Sequence, residues 1–187
     1  MDDKKKHWLD ITHKIFSAVR FNESSKLYDL AKESVLPIVE IGSYVGKSSI
    51  IMAGASMEGN KVPVYCVDTW MDNGDGIDHF PEFKKNIKHY GVEDKIKVFR
   101  GNSAKMSFDF ELNCKDKIGL LFIDGDHSYE GVRRDFITWS KMVNGFIAFH
   151  DYISCDGVTK LIDSLMANGA DIDLTNSLAV IKWPQKG

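Results

Sequence analysis

The sequence predicts an α/β chain built on a doubly wound, mostly parallel sheet, with an antiparallel last strand and helices at its N-terminus. Three observations carry that expectation. Short β-rich apolar runs alternate with stretches of helical spacing from residue 37 onward. The first run opens PIVEIGSYVGKSSIIM, residues 37–52, which reads as a strand, a glycine turn and a helix in succession. Later runs end on acids, at Asp68, at Asp124 and, one residue after His150, at Asp151. In open α/β sheets ligands sit at the carboxyl ends of the strands. That rule gathers Gly42, Asp68, Ser103, Asp124 and Asp151 along one edge.

Residues 1–36 read as a helical extension and 37–187 as the sheet domain, together one compact unit. In the extension Trp8, Ile11, Ile15 and Val19 share one helical stripe. A second stripe is Leu27, Leu30, Ala31 and Val35, with Asn22 or Ser24 as its cap and Pro37 as its end. These helices must pack on the sheet or over its ligand edge, and the pattern does not say which. Strand two is Val62 to Val67. An acidic glycine-rich loop, Asp72 to Asp78, lacks the spacing of a calcium loop and reads as a lid or an ordinary surface loop. Phe80 to Tyr90 is a helix, Ile96 to Phe99 strand three, and Gly101-Asn102-Ser103 the turn after it. Ile118 to Ile123 is apolar throughout, as a central parallel strand should be. A helix from Ser128 to Val143 follows, stopped by Gly145. Phe146 to Phe149 is strand five, 157–168 the last crossover helix, and 172–174 with 178–181 a closing antiparallel pair.

Composition narrows the function classes. The chain has 187 residues, 43% hydrophobic and 27% charged, with a formal charge of -3. That balance, with a pI near 6.1, argues against a general nucleic-acid binder. No apolar run approaches the roughly 20 residues that span a membrane, and the N-terminus lacks a signal-peptide core. Cys66, Cys114 and Cys155 are odd in number and widely spaced, so neither a disulfide framework nor a zinc knuckle is indicated. The chain reads as cytoplasmic, with neither nucleic acid nor membrane as partner and a homodimer left open.

Spacing chooses among three glycine-loop motifs at Gly42. The dinucleotide pattern G-x-G-x-x-G fails at Tyr44 and Lys47. The phosphate loop G-x-x-x-x-G-K-[ST] misses by one residue, since Gly42 to Lys47-Ser48 is too short to wrap a phosphate in the same way. The pattern acid-x-Gly-x-x-x-Gly fits Glu40, Gly42 and Gly46 without adjustment. Asp68 stands a strand-helix-strand unit further on, where an acid accepts hydrogen bonds from ribose hydroxyls; a solvated turn residue is the alternative.

With these residues placed, the chain resembles the class I S-adenosylmethionine (SAM) dependent methyltransferases. It is most similar to the small O-methyltransferases that include macrolide-sugar and catechol enzymes. The resemblance covers roughly residues 24–183, through KLYDLAKES, VEIGSYVGKSS, VDTW, FIDGDHSYEGVRRDF and FIAFHDY. It implies a Rossmann-like methyltransferase fold, SAM as cofactor and a small-molecule or sugar hydroxyl as acceptor. It would set Glu40, Gly42 and the loop residues Ser43, Tyr44 and Gly46 beside the methionine part. Asp68 and Thr69 would lie at the ribose, Asn102 and Ser103 near the adenine, and Asp124 at the same edge. Two departures are Lys47, where a small or aromatic residue is usual, and Asn144, where proline often precedes the glycine.

An alcohol acceptor must lose a proton before it is methylated, to a side-chain base or with help from a cation. Asp124 and Asp151 end neighbouring strands and should converge, which suits Mg²⁺, while His150 beside them would admit Mn²⁺. The alternative is that these acids cap the following helices with no metal. His127 is the candidate base and Asp126 its alternate. Two other classes compete with the methyltransferase. One is a nucleotide hydrolase, with Gly42–Ser48 as phosphate loop. The other is a non-catalytic binding module on the same fold.

Overall fold

The computed structural model describes residues 1–71 and 76–184. Of the acidic loop, residues 72–75 lie outside the described residues, and so does the question of a lid there. Met71 and Asp78, at the two ends of that loop, pair as an antiparallel bridge.

The helices α1 (Asp3–Thr12) and α2 (Phe21–Glu33) precede β1 (Ile38–Ile41) and α3 (Lys47–Glu58). Then come β2 (Val64–Asp68), α4 (Phe80–His89), β3 (Ile96–Arg100), α5 (Ser103–Asn113) and β4 (Ile118–Ile123). The chain closes with α6 (Tyr129–Ser140), β5 (Val143–Phe149), α7 (Asp156–Ala167), β6 (Ile172–Thr175) and β7 (Leu178–Trp183). The seven strands form one sheet in the order β3-β2-β1-β4-β5-β7-β6. β1 to β5 run parallel, and β7 is antiparallel to both β5 and β6. The order reverses between β1 and β4, and the crevice of a doubly wound sheet opens at that switch point.

Strand alternation divides the core into two layers. Ile38, Leu120 and Phe122 face a cluster with α1 to α4, while Val39, Leu121 and Ile123 face one with α5 to α7. The N-terminal helices therefore belong to the core of the sheet domain. Trp8 of α1 covers Gly54 of α3 so closely that a methyl there would overlap its ring, 2.3 Å away. No helix among the described residues is long and apolar enough to cross a membrane.

The structure moves several boundaries. α1 ends at Thr12, so Ile15 and Val19 are buried from a coil and not from a helical stripe. α2 starts at Phe21 behind Arg20, with Glu23 accepting the Arg20 N–H, so neither Asn22 nor Ser24 is its cap. Val35 lies past its end, 72% exposed. The turn at Gly101–Ser103 leads straight into a helix that the pattern had not marked. α5 buries Met106 and Phe110 but leaves Phe108 and Leu112 exposed, which blurs its stripe. Val143 and Gly145 are strand residues, not a helix end. A Cβ at Gly145 would lie 2.0 Å from the Gly119 carbonyl oxygen, so glycine permits the close strand approach beside the register shift in β4 and β5.

Candidate active site

A cleft of about 700 Å³ opens over the carboxyl ends of β1, β2 and β4. Its floor is the β1–α3 turn. Gly42 has φ of +89° and sits against β4, where a Cβ would be 2.1 Å from the Asp124 carbonyl oxygen. Only glycine fits there. Gly46 caps α3 in a left-handed conformation and offers no side chain to the first-turn N–H groups.

The turn is braced from β2. Asp68 Oδ2 accepts the backbone N–H of Ser43 and of Tyr44, each at 2.8 Å, and Oδ1 accepts that of Trp70 at 2.7 Å. The buried Trp70 indole donates to the Tyr44 carbonyl at 2.7 Å. Asn86 of α4 donates to the Val45 carbonyl at 2.8 Å. Side chains of β2, α4 and Trp70 thus hold the loop in shape.

The cleft wall carries most of the expected residues. Gly42, Ser43, Tyr44, Gly46, Asp68, Thr69, Asn102, Ser103, Asp124, Asp126, His127 and Asp151 all line it. Glu40 does not. It is fully buried beneath the turn and hydrogen-bonded to Ser49 of α3, so it supports the loop from below and not from the cleft wall. Phe16, Ser17 and Ala18 line the cleft as well, so the N-terminal segment both packs on the sheet layer and reaches its ligand edge. Lys47 spends its ammonium on the Val19 carbonyl at 2.9 Å, pinning that segment and leaving the lysine unsuited to a phosphate loop.

At the β4 and β5 ends the acids converge as expected. Asp124 Oδ1 lies 3.2 Å and Asp151 Oδ1 3.4 Å from His150 Nδ1. Across the same pair, His127 Nε2 lies 3.5 Å from Asp124 Oδ1 and 3.3 Å from Asp151 Oδ2. Neither acid caps a helix: Ser128 accepts from α6, and α7 begins at Cys155 with no side-chain cap. Among the described residues two sets of donor atoms are close enough for one cation, Asp124 with His150 and Asp151, and His127 with Asp151 and Cys155.

Residues 39–152 match the model of a protein family described as a methyltransferase domain. The chain belongs to that family. A mimivirus protein from Acanthamoeba polyphaga mimivirus, uncharacterized protein R132, is 28% identical over 142 residues, covering 72% of this chain and 59% of that protein. The chain thus spans about three-fifths of that curated relative. Among solved structures, the methyltransferase PaMTH1 of Podospora anserina, bound to S-adenosylhomocysteine, superimposes with a TM-score of 0.70 at 16% identity. That match covers 99% of this chain and 89% of PaMTH1. The O-methyltransferase NovP gives a TM-score of 0.73 at 14% identity, over 97% of this chain and 100% of NovP. Both share the Rossmann-like methyltransferase fold of this domain.

Electrostatics separates the candidate groups of the methyltransferase domain. Burial pushes the Glu40 carboxyl up to about 7, against the pull of the Ser48, Ser49 and Ser43 hydroxyls, and the Asp124 charge adds to the rise. Burial opposes charge on His150, yet the Asp124 and Asp151 carboxylates push it up to about 11. Asp124, then Asp151, raises His127 in the same way, against burial. Asp126 differs. Burial is outweighed by its hydrogen bond with Ser128 and by Arg134, so its carboxyl lies below the usual range. It also accepts the Ser128 N–H at 3.0 Å, which makes it a poorer base than His127.

Three residues of this neighbourhood escaped the sequence reading. Asp135 of α6 is buried, lines the cleft and accepts from Ser103. Its only signal was its place in RRDF. Cys155 joins the cluster from the loop after β5. Glu23, fully buried, meets His150 Nε2 at 3.1 Å from a helix 127 residues away; an acid at the third position of a helix signals a cap and nothing more.

Proposed function

We propose that this chain is a SAM-dependent methyltransferase that transfers a methyl group to a hydroxyl of a small molecule or sugar, assisted by Mg²⁺ or Mn²⁺. The observation that carries the reading is that one cleft joins a braced glycine loop to a carboxylate–imidazole cluster of Asp124, Asp151 and His127. NovP, an O-methyltransferase, supports oxygen as the accepting atom.

The residues present fit both groups. A cleft of about 700 Å³ lies within the range of small-molecule sites. Uncapped first-turn N–H groups of α3 suit a carboxylate such as that of a methionine moiety. Asp68 Oδ1, with one backbone donor, has lone-pair capacity left for a ribose hydroxyl. Asn102 and Ser103 border the far end, where the base would lie. Asp124, Asp151 and His150 would hold a divalent cation, which would neutralise the acids and acidify an acceptor hydroxyl.

SAM supplies an electrophilic methyl group on a sulfonium. Displacement on it is in line, so the braced loop and the cleft walls contribute mainly by alignment. His127, on the cleft wall beside both acids, takes the proton of the acceptor hydroxyl once its ring is neutral. Calorimetry with S-adenosylhomocysteine, ATP and NAD tests the reading. Micromolar binding of the first alone is expected, whereas tight ATP binding without response to the first would favour a nucleotide hydrolase.

A further inference from the structure

Glu23 looks at first like an ordinary helix cap. Its Oε2 accepts the Arg20 N–H at 2.6 Å, as an acid at the third helical position often does. Such caps usually sit in water, but this one is 0% exposed. Its Oε1 accepts both the N–H and the hydroxyl of Ser177, at 2.9 and 2.7 Å, and its Oε2 lies 3.1 Å from His150 Nε2. A carboxylate has about four acceptor positions, and three are filled by groups that can only donate here. The fourth contact closes the set when Nε2 carries the hydrogen. The ring is then turned so that Nδ1, whose proton a bound cation would displace, faces Asp124 and Asp151.

That nitrogen is buried with its ring at 1% exposure and has no aligned hydrogen bond among the described residues. Asp124 Oδ1 and Asp151 Oδ1 stand 3.2 and 3.4 Å from it. Adjacent ligands of an ion bound at about 2.1 Å are about 3 Å apart in an octahedral shell. The two nitrogen–oxygen distances are close to that spacing, neither is aligned as a hydrogen bond, and Asp124, His150 and Asp151 each offer a ligand atom within 4.8 Å of the others. An imidazole nitrogen among oxygens favours Mn²⁺, Fe²⁺, Co²⁺ or Zn²⁺ over Mg²⁺ and Ca²⁺, which prefer all-oxygen shells.

We propose that Glu23 is the positioning residue that sets His150 Nδ1 as a nitrogen ligand beside Asp124 and Asp151, making the site selective for Mn²⁺-type ions over Mg²⁺. The inference rests on the cation-assisted reading above and names the device that chooses the ion. It also assigns a task to the N-terminal helix: α2 holds the metal ligand from behind, as carboxylates commonly do for histidine ligands.

The test uses the full chain with Mn²⁺ and Mg²⁺ added separately, and reads binding, not turnover. Mn²⁺ should bind at least ten-fold more tightly than Mg²⁺. Pulsed electron paramagnetic resonance of bound Mn²⁺ should detect a directly coordinated nitrogen that survives His127→Gln and disappears in His150→Asp. The latter variant should also shift preference toward Mg²⁺. Glu23→Gln should weaken Mn²⁺ by about 10–100-fold while S-adenosylhomocysteine still binds. If Glu23→Gln does not fold, the nitrogen signal and the His150→Asp swap decide alone. Bound Mn²⁺ without coupling to His150, equal affinity for Mg²⁺, or no Mn²⁺ binding would each overturn the proposal. Those outcomes leave the methyltransferase reading standing if S-adenosylhomocysteine binds; the reverse pattern sinks that reading and keeps this site.

Discussion

The carboxylate of Asp68, at the end of β2, accepts the backbone N–H of Tyr44 at 2.8 Å across the neighbouring strand. The same oxygen takes the Ser43 N–H. The acid proposed to meet a ribose therefore also shapes the loop that would meet the rest of the cofactor. Asp68→Ala should weaken S-adenosylhomocysteine binding by about 1–3 kcal/mol and lower the melting temperature as well, because buried N–H groups lose their acceptor. Calorimetry and thermal unfolding together check this. An affinity loss with unchanged melting would mean that the brace is idle.

Gly42→Ala tests the floor of the cleft. Its φ of +89° strains any side chain, and the added Cβ would meet the Asp124 carbonyl at 2.1 Å. The penalty should be about 2–5 kcal/mol of stability, combining backbone strain and overpacking. Gly46→Ala shares the strain but meets only the Phe83 ring at 3.0 Å, so it should cost less. Urea unfolding ranks the two. A stable Gly42→Ala protein that merely fails to bind ligand would assign the glycine to ligand space instead.

Glu40 makes a prediction about pH. Its carboxyl is pushed up from 4.5 to about 7 by burial. Between those values the native state keeps a proton that the unfolded chain has released, so stability falls as pH rises through the window. The loss above pH 7 should reach about 3 kcal/mol. Glu40→Gln carries no charge at any pH and should show a flatter profile, gaining on the wild type between pH 5 and pH 8. Parallel urea-unfolding profiles would show that Glu40 is not protonated in the native state.

Asp151 has a φ of +63°, a conformation that asparagine tolerates. Asp151→Asn should therefore keep the backbone while removing a charge from the cluster. Methyl transfer should fall by about 10–100-fold or more, and chelation of the wild type should do the same. Binding of S-adenosylhomocysteine should survive both, because the braced loop stands on β1 and β2. Full turnover in excess EDTA would remove the cation from the reaction and leave His127 as sole base.

The sequence by itself determined the alternation of strands and helices, the glycine turn at Gly42–Gly46 and the acids at the strand ends. These are local features: β4 was readable to the residue because its run of five apolar side chains and one glycine needs burial on both faces. The antiparallel β6–β7 pair was readable from the same run-and-turn pattern. α5 was not, since two exposed apolar residues obscure its buried face, and Gly145 looked like a helix stop because a close strand approach leaves no local mark. Only the tertiary structure decided which side chains share a hydrogen bond. Asp68 reaches back to a loop 24 residues earlier, Glu40 turns under the loop toward Ser49, and Glu23 meets His150 across 127 residues of chain. Periodicity records which face of an element must leave water. It carries no information on which buried polar group will find which partner, because that depends on how the packed elements meet.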